Sequence, residues 1–292
     1  MKLTKDSKIL IVGLGVIGGG YASALTEQGF AVGCITKEQN DVDYALKRGM
    51  IGFGTTEVDP KVVGDADLVI FALYPTVFIE WIEKYQKYFK PGALITDVTG
   101  VKGSVVSTVQ NMLRPDVEFI SAHPMAGRER SGVEYSDPAV FKGANYIVTP
   151  TEKNTEEAIE ICKRLGEILG FARISVLTPD EHDKMIAFLS QLTHCIAVAL
   201  MTCNDEDGLE KYTGDSFRDL TRIAKINDAM WSELFLMNKE ALLCEMDAFI
   251  REFEKMKDML ISNDREGLRA MMRKSTARRS LFDKPDGKYR KM

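Results

Sequence analysis

The stretch SKILIVGLGVIGGGYASAL, residues 7–25, decides the fold. Ile9 to Val12 form a continuous apolar, largely β-branched run, the pattern of a strand covered on both faces. Gly13 ends it, and helical spacing begins near Val16. Gly13, Gly15 and Gly18 stand in the spacing G-x-G-x-x-G. On its own that spacing is weak, and a purely structural glycine turn reads the same way. Between a strand and a helix each glycine has its own use. The first permits a tight turn, the second lets a pyrophosphate approach the backbone, and the third allows helix and strand to pack closely. The helix start then offers unpaired amides and a positive dipole end to the phosphates. The candidate dinucleotide-binding residues are therefore Gly13, Gly15, Val16, Ile17 and Gly18.

Further short apolar runs follow at 31–36, 68–73, 93–98, 118–123 and 145–150, with helical spacing at 76–88, 101–113 and 154–170. This alternation predicts an α/β fold built on a doubly wound, mainly parallel, Rossmann-like sheet. Near residue 177 the pattern changes. In TPDEHDK, Thr178 as N-cap, Pro179 at the first helical position and Glu181 three residues past the cap make a capping box. Only helices are expected beyond it, at 179–204, 216–225, 228–262 and 264–280. The expected division is a dinucleotide-binding domain, 1–177, and an all-helical substrate and dimerisation domain, 178–292. The helix 228–262 would run about 50 Å, long enough that its apolar stripe is expected to pack on a second copy in a homodimer.

With 45% hydrophobic and 28% charged residues, composition is that of a globular chain and excludes disorder. A net charge of −5 argues against a nucleic-acid surface, although residues 265–291 carry ten Lys or Arg against three acids. The longest apolar stretch, MIAFLSQLTHCIAVALM (185–201), is interrupted by Ser190, Gln191, Thr193 and His194, and is expected to be a buried helix rather than a membrane span. The start of the chain lacks the pattern of a signal peptide, so a cytoplasmic protein is expected. The five cysteines have no metal-ligand spacing and no metal site is expected.

A carboxylate that would accept from the ribose hydroxyls is expected at the end of the second strand. The chain instead reads CITKEQN there, with Ile35, Thr36 and Lys37. Thr36 and Lys37 suit a 2′-phosphate, which predicts NADP, with NAD as the alternative should Lys37 be merely solvated.

In ISAHPMAGRERSG (120–132), one of three histidines, His123, ends an apolar run and opens a glycine-punctuated, charged loop. An isolated histidine there reads as a capping or core residue. At the carboxyl end of a strand of a dinucleotide-binding sheet it reads as a base for proton transfer coupled to hydride transfer. Ser190 and His194 lie four apart on one helix, as do Arg218 and Arg222. Two guanidiniums aimed one way suit a substrate with more than one carboxylate; the alternative is surface pairing with Asp215 and Asp219.

These motifs resemble those of the prephenate and arogenate dehydrogenases across nearly the whole chain. HPMAGRERSGVEYS (123–136) is similar to that family's histidine loop, SQLTH (190–194) to its second histidine motif, and GDSFRDLTRIA (214–224) with AMW (229–231) to its arginine motif and downstream tryptophan. The resemblance implies oxidative decarboxylation of a cyclohexadienol. It implies His123 as the catalytic histidine on the ring hydroxyl, Arg222 on the ring carboxylate, His194 near the side-chain end, Arg218 as a cationic helper, Trp231 in the pocket and Glu129 as an entrance gate. Three positions depart from the pattern. Gln191, a candidate substrate contact, and Thr193 replace a histidine and a proline, and Thr99-Gly100 stands where a Gly-Ser pair is usual, so the serine that touches histidine and nicotinamide is either absent or replaced by Thr99. Arg128, beside Glu129, favours the keto acid prephenate over arogenate. The rival readings are another two-domain dehydrogenase of hydroxy acids or imines, with a lysine base, and a non-catalytic dinucleotide sensor.

Overall fold

The computed structural model describes residues 3–127, 130 and 132–283. β1 (Lys8–Val12), α1 (Val16–Glu27) and β2 (Ala31–Ile35) form the strand, helix and strand implied by the glycine stretch. α2 (Gln39–Lys47), β3 (Phe53–Thr55), α3 (Pro60–Asp65), β4 (Leu68–Phe71), α4 (Pro75–Tyr85), β5 (Leu94–Asp97), α5 (Gly103–Met112) and β6 (Glu118–Phe119) complete a six-stranded parallel sheet. Its order is β3-β2-β1-β4-β5-β6. The order reverses between β1 and β4, the switch point beyond whose carboxyl strand ends such sheets bind their ligands. β3 is not legible in the sequence because three residues are too short for a periodicity.

β7 (Ser121–Met125) and β8 (Asn145–Thr149) pair antiparallel; after α6 (Glu156–Ile168), β9 (Arg173–Val176) joins β8 in parallel. The single strand predicted over 118–123 is thus two. The chain leaves the main sheet after Phe119, and His123 lies in the middle of β7, opposite Ile147, rather than at the end of a main-sheet strand. The cause is local. The Asp97 carboxylate at the end of β5 accepts from the Ser121 hydroxyl and from the Ala122 amide, drawing the chain over the edge of the sheet.

From Pro179 onward the described residues are helical or irregular. α7 (Pro179–Ile186) starts with the predicted capping box, made by Thr178 and Glu181. It continues through a π-helical segment, Ala187–Leu192, into α8 (Thr193–Thr202). This continuous helix is long and apolar enough to cross a membrane by length and composition. It is less buried than the sequence suggested: Ile186, Ala187, Leu192 and Ala197 face inward, whereas Phe188, Leu189 and Met201 are exposed. α9 (Asp215–Thr221), α10 (Asp228–Met237), α11 (Lys239–Ile261) and α12 (Arg265–Arg279) follow. The helix predicted over 228–262 breaks at Asn238, whose buried side chain donates to the Asp183 carbonyl and to Gln191 Oε1. The chain divides into two compact units, Met1–Leu242 and Leu243–Met292. In the second, Phe249, Ile250, Phe253, Leu260 and Ile261 of α11 are exposed.

Candidate active site

Gly13 has φ +92°, and a Cβ on it would lie 2.5 Å from the Ala72 carbonyl oxygen; a Cβ on Gly18 would lie 2.1 Å from that of Gly13. Both positions require glycine. A Cβ on Gly15 would meet nothing within 4 Å, so the middle glycine borders open space. α1 starts there without a side-chain cap, leaving the first-turn amides of Val16, Ile17 and Gly18 without helical acceptors. This cradle fits a dinucleotide pyrophosphate. At the end of β2, Thr36 is buried and its amide donates to the Thr55 carbonyl. The Lys37 side chain is 93% exposed, with Glu38 its loose partner at 3.9 Å.

His123 is half-buried on β7. Its Nδ1 lies 2.8 Å from His182 Nε2, and His182 Nδ1 lies 2.8 Å from Asp183 Oδ1. Asp183 also accepts from the Lys102 and Gly103 amides at the start of α5, where a carboxylate suits the helix dipole. Below this chain lies a second buried cluster. Lys102 is fully buried, and its ammonium donates to Asp97, Thr99 Oγ1 and the Ala122 carbonyl. Burial pulls the Lys102 ammonium below its ordinary range, opposed by Asp97. Burial, followed by the neighbouring His182 and Lys102, holds His123 well below 6.5. His182 is also lowered, chiefly by burial, with Asp183 opposing. Both imidazoles are therefore neutral at physiological pH.

Two expectations require correction here. The Thr99 hydroxyl is turned into the buried cluster, where it donates to Asp97 and accepts from Lys102. The neighbour of His123 is Gly100, whose Cβ would lie 3.9 Å from His123 Cε1 and 3.5 Å from Leu234 of α10. Thr99 is therefore not a stand-in for the serine. Gln191, expected to meet substrate, is 1% exposed; its amide donates to the Leu234 carbonyl and its oxygen accepts from Asn238. Both ends are committed to joining the π-helical segment to α10 and the turn after it.

The remaining candidates cluster near α8. Its His194 stacks on Trp231 of α10, and His194 Nδ1 donates to the Ser190 carbonyl. The helix α9 and the tight turn Arg222–Ala224 pack against α8. Arg218 is exposed and engaged with Thr213 and Asp215, as the surface-pair alternative anticipated, while Arg222 opens the turn after α9. Glu129 and Arg128 lie outside the described residues. Among the described residues no group of His, Cys, Asp and Glu side chains forms a metal cluster. His182, Asp183 and Lys102 were not identified from sequence. Their only visible signal was the His-Asp pair inside TPDEHDK, which read as part of a helix start.

A reversing parallel sheet with a glycine cradle, and a neutral histidine at its crevice backed by a helical segment, define a nicotinamide-dinucleotide dehydrogenase. The chain belongs to the prephenate dehydrogenase family. Residues 21–176 match the family model for the prephenate dehydrogenase nucleotide-binding domain, and residues 178–274 that for its dimerization domain. The prephenate dehydrogenase of Bacillus subtilis is 32% identical over 92% of this chain and 74% of its own length. The cyclohexadienyl dehydrogenase of Zymomonas mobilis is 28% identical over 90% and 91%. Among solved structures, prephenate dehydrogenase from Aquifex aeolicus in complex with hydroxyphenyl propionate and NAD+ superposes with a TM-score of 0.89 at 31% identity, covering 97% of this chain and all of that one.

Proposed function

We propose that this chain oxidatively decarboxylates prephenate to 4-hydroxyphenylpyruvate, as a step of tyrosine biosynthesis, with a nicotinamide dinucleotide as acceptor. The observation that carries the reading is His123: neutral, fixed at Nδ1 by His182, and bordering Leu234 of α10 and Gly100, which lies just past β5 of the main sheet that bears the glycine cradle. A bound nicotinamide supplies a two-electron acceptor for the hydrogen at C4 of the ring. His123 takes the C4 hydroxyl proton at Nε2 as a carbonyl develops. The bond from C1 to its carboxylate then breaks, its electron pair enters the ring, carbon dioxide leaves, and the proton returns to the oxygen that becomes phenolic. No net proton is consumed. The protein's work is orientation and charge placement. Arg222 holds the ring carboxylate, Arg218 adds a second cation, and His194 and Trp231 meet the side-chain end; the family resemblance adds Glu129 as an acid that gates substrate entry.

On this reading the dinucleotide is NADP. In support, Ile35, Thr36 and Lys37 offer no carboxylate, and a phosphate would displace Glu38 from an exposed lysine. The functional division falls at 177/178, the second domain pairs two copies through exposed apolar residues such as those of α11, and the enzyme works in the cytoplasm on a small molecule, without nucleic acid or membrane. The test is turnover of prephenate and of arogenate with each dinucleotide, followed by nicotinamide reduction. The highest kcat/KM is expected for prephenate with NADP. A higher value for arogenate would reassign the substrate, and no reduction with either would leave a dinucleotide sensor.

A further inference from the structure

The proton positions along three side chains follow from one constraint. Both oxygens of the Asp183 carboxylate accept from backbone amides, Oδ1 from Lys102 and Oδ2 from Gly103, so the group faces its neighbours as an acceptor. Its contact at 2.8 Å with His182 Nδ1 therefore has the proton on that nitrogen. Neutral His182 then presents a bare Nε2, and the 2.8 Å contact to His123 has its proton on His123 Nδ1. Only Nε2 of His123 is left bare. From this we infer that His182 and Asp183 are positioning residues that pin His123 in the one tautomer able to take a proton from substrate.

The inference rests on the proposed role of His123 as base. It also gives the pair a second role. Once His123 Nε2 has taken the hydroxyl proton, the imidazolium keeps its Nδ1–H on His182, with the Asp183 charge behind it. The charged and titratable groups around His123 are His182 and Asp183 of α7, Lys102 at the start of α5 and Asp97 of β5. Lys102 is matched by Asp97, which leaves Asp183 to offset the charge that develops on His123. The arrangement joins residues 59 positions apart and does not involve the glycine cradle, so its loss affects chemistry rather than cofactor affinity.

The chain has three histidines, which makes nitrogen NMR of histidine-labelled protein readable once His194→Gln and His123→Asn assign the signals. In the wild type, His123 is expected to show a protonated Nδ1 and a bare Nε2. His182→Leu should release the tautomer and lower kcat roughly 10- to 1,000-fold, with KM for prephenate and Kd for the dinucleotide within about twofold. His182→Gln, whose amide can accept from His123 and donate to Asp183, should recover most of that loss. A wild-type His123 protonated at Nε2 would overturn the inference even if His182→Leu failed to fold. So would a His182→Leu enzyme with wild-type kcat, or one whose KM rose as kcat fell. If His123→Asn itself turned over normally, the base assignment would be the part that failed.

Discussion

Trp231 lies against His194 with ring centroids 3.7 Å apart and planes inclined by 30°. The contact ties α10 to α8 and leaves His194 little rotational freedom, since its Nδ1 is also bound to the Ser190 carbonyl 2.9 Å away. Around it the helical segment supplies cations and aromatic surface, while the three-stranded sheet supplies the base and the six-stranded sheet the cradle. The variants below separate these contributions.

Arg222→Ala should raise KM for prephenate strongly, because a bound carboxylate loses its charged partner at a cost of roughly 2–5 kcal/mol. Arg218→Ala should do less, as that side chain already spends its guanidinium on Thr213 and Asp215. Steady-state kinetics of the two variants decide the matter: indistinguishable KM values would remove Arg222 as the main carboxylate ligand.

His123→Asn should lower kcat by about two orders of magnitude or more with KM nearly unchanged, the range expected for a lost general base. A variant keeping more than about a third of wild-type kcat would end the assignment.

Cofactor choice is read from Lys37. One charge-assisted contact to a 2′-phosphate is worth about 1.5–3 kcal/mol, or roughly ten- to a hundredfold in kcat/KM. NADP should be used better than NAD, and Lys37→Ala should lower the NADP value alone. Equal or better use of NAD by the wild type would contradict this.

Gln191→Ala should act on stability and not on substrate binding. It removes two buried hydrogen bonds, to the Leu234 carbonyl and from the Asn238 side-chain amide, at about 0.5–1.5 kcal/mol each, while those groups keep the Asn238 backbone N–H and the Asp183 carbonyl as partners. Thermal melts should show a clear drop in Tm with KM close to wild type. A raised KM at unchanged Tm would return Gln191 to the substrate pocket.

The low position of His123 and His182 fixes two pH dependences. His123 must be neutral to act, and burial holds it well below 6.5, so kcat/KM should hold its value at pH 6.5 and its acid limb should lie lower. In unfolded chain the same histidines titrate near 6.5. As pH falls below that, the unfolded state takes up protons that the folded state refuses, so stability is full above about 6.5 and declines towards acid. Melts of the unliganded protein across this range should show the decline, shallower in His182→Leu. A stability that rose on acidification would reverse the sign.

The glycine spacing after an apolar run was enough to specify the cradle, because a tight turn and a close phosphate approach demand glycine within six adjacent residues. Alternating strand and helix periods likewise determined the doubly wound sheet, and Thr178, Pro179 and Glu181 the change to helices. Those are local properties of the chain. What only the tertiary structure decided depends on which distant groups meet. Asp97 draws Ser121 and Ala122 away from the main sheet and so puts His123 in mid-strand. Gln191 and Asn238 bind each other across 47 residues, which buries one expected substrate ligand and breaks the long helix. His182 and Asp183 read as helix-start residues until α7 packs beside β7 and α5. A hydrogen bond depends on position and direction to within a fraction of an ångström, and neither spacing nor composition encodes that for residues so far apart in the chain.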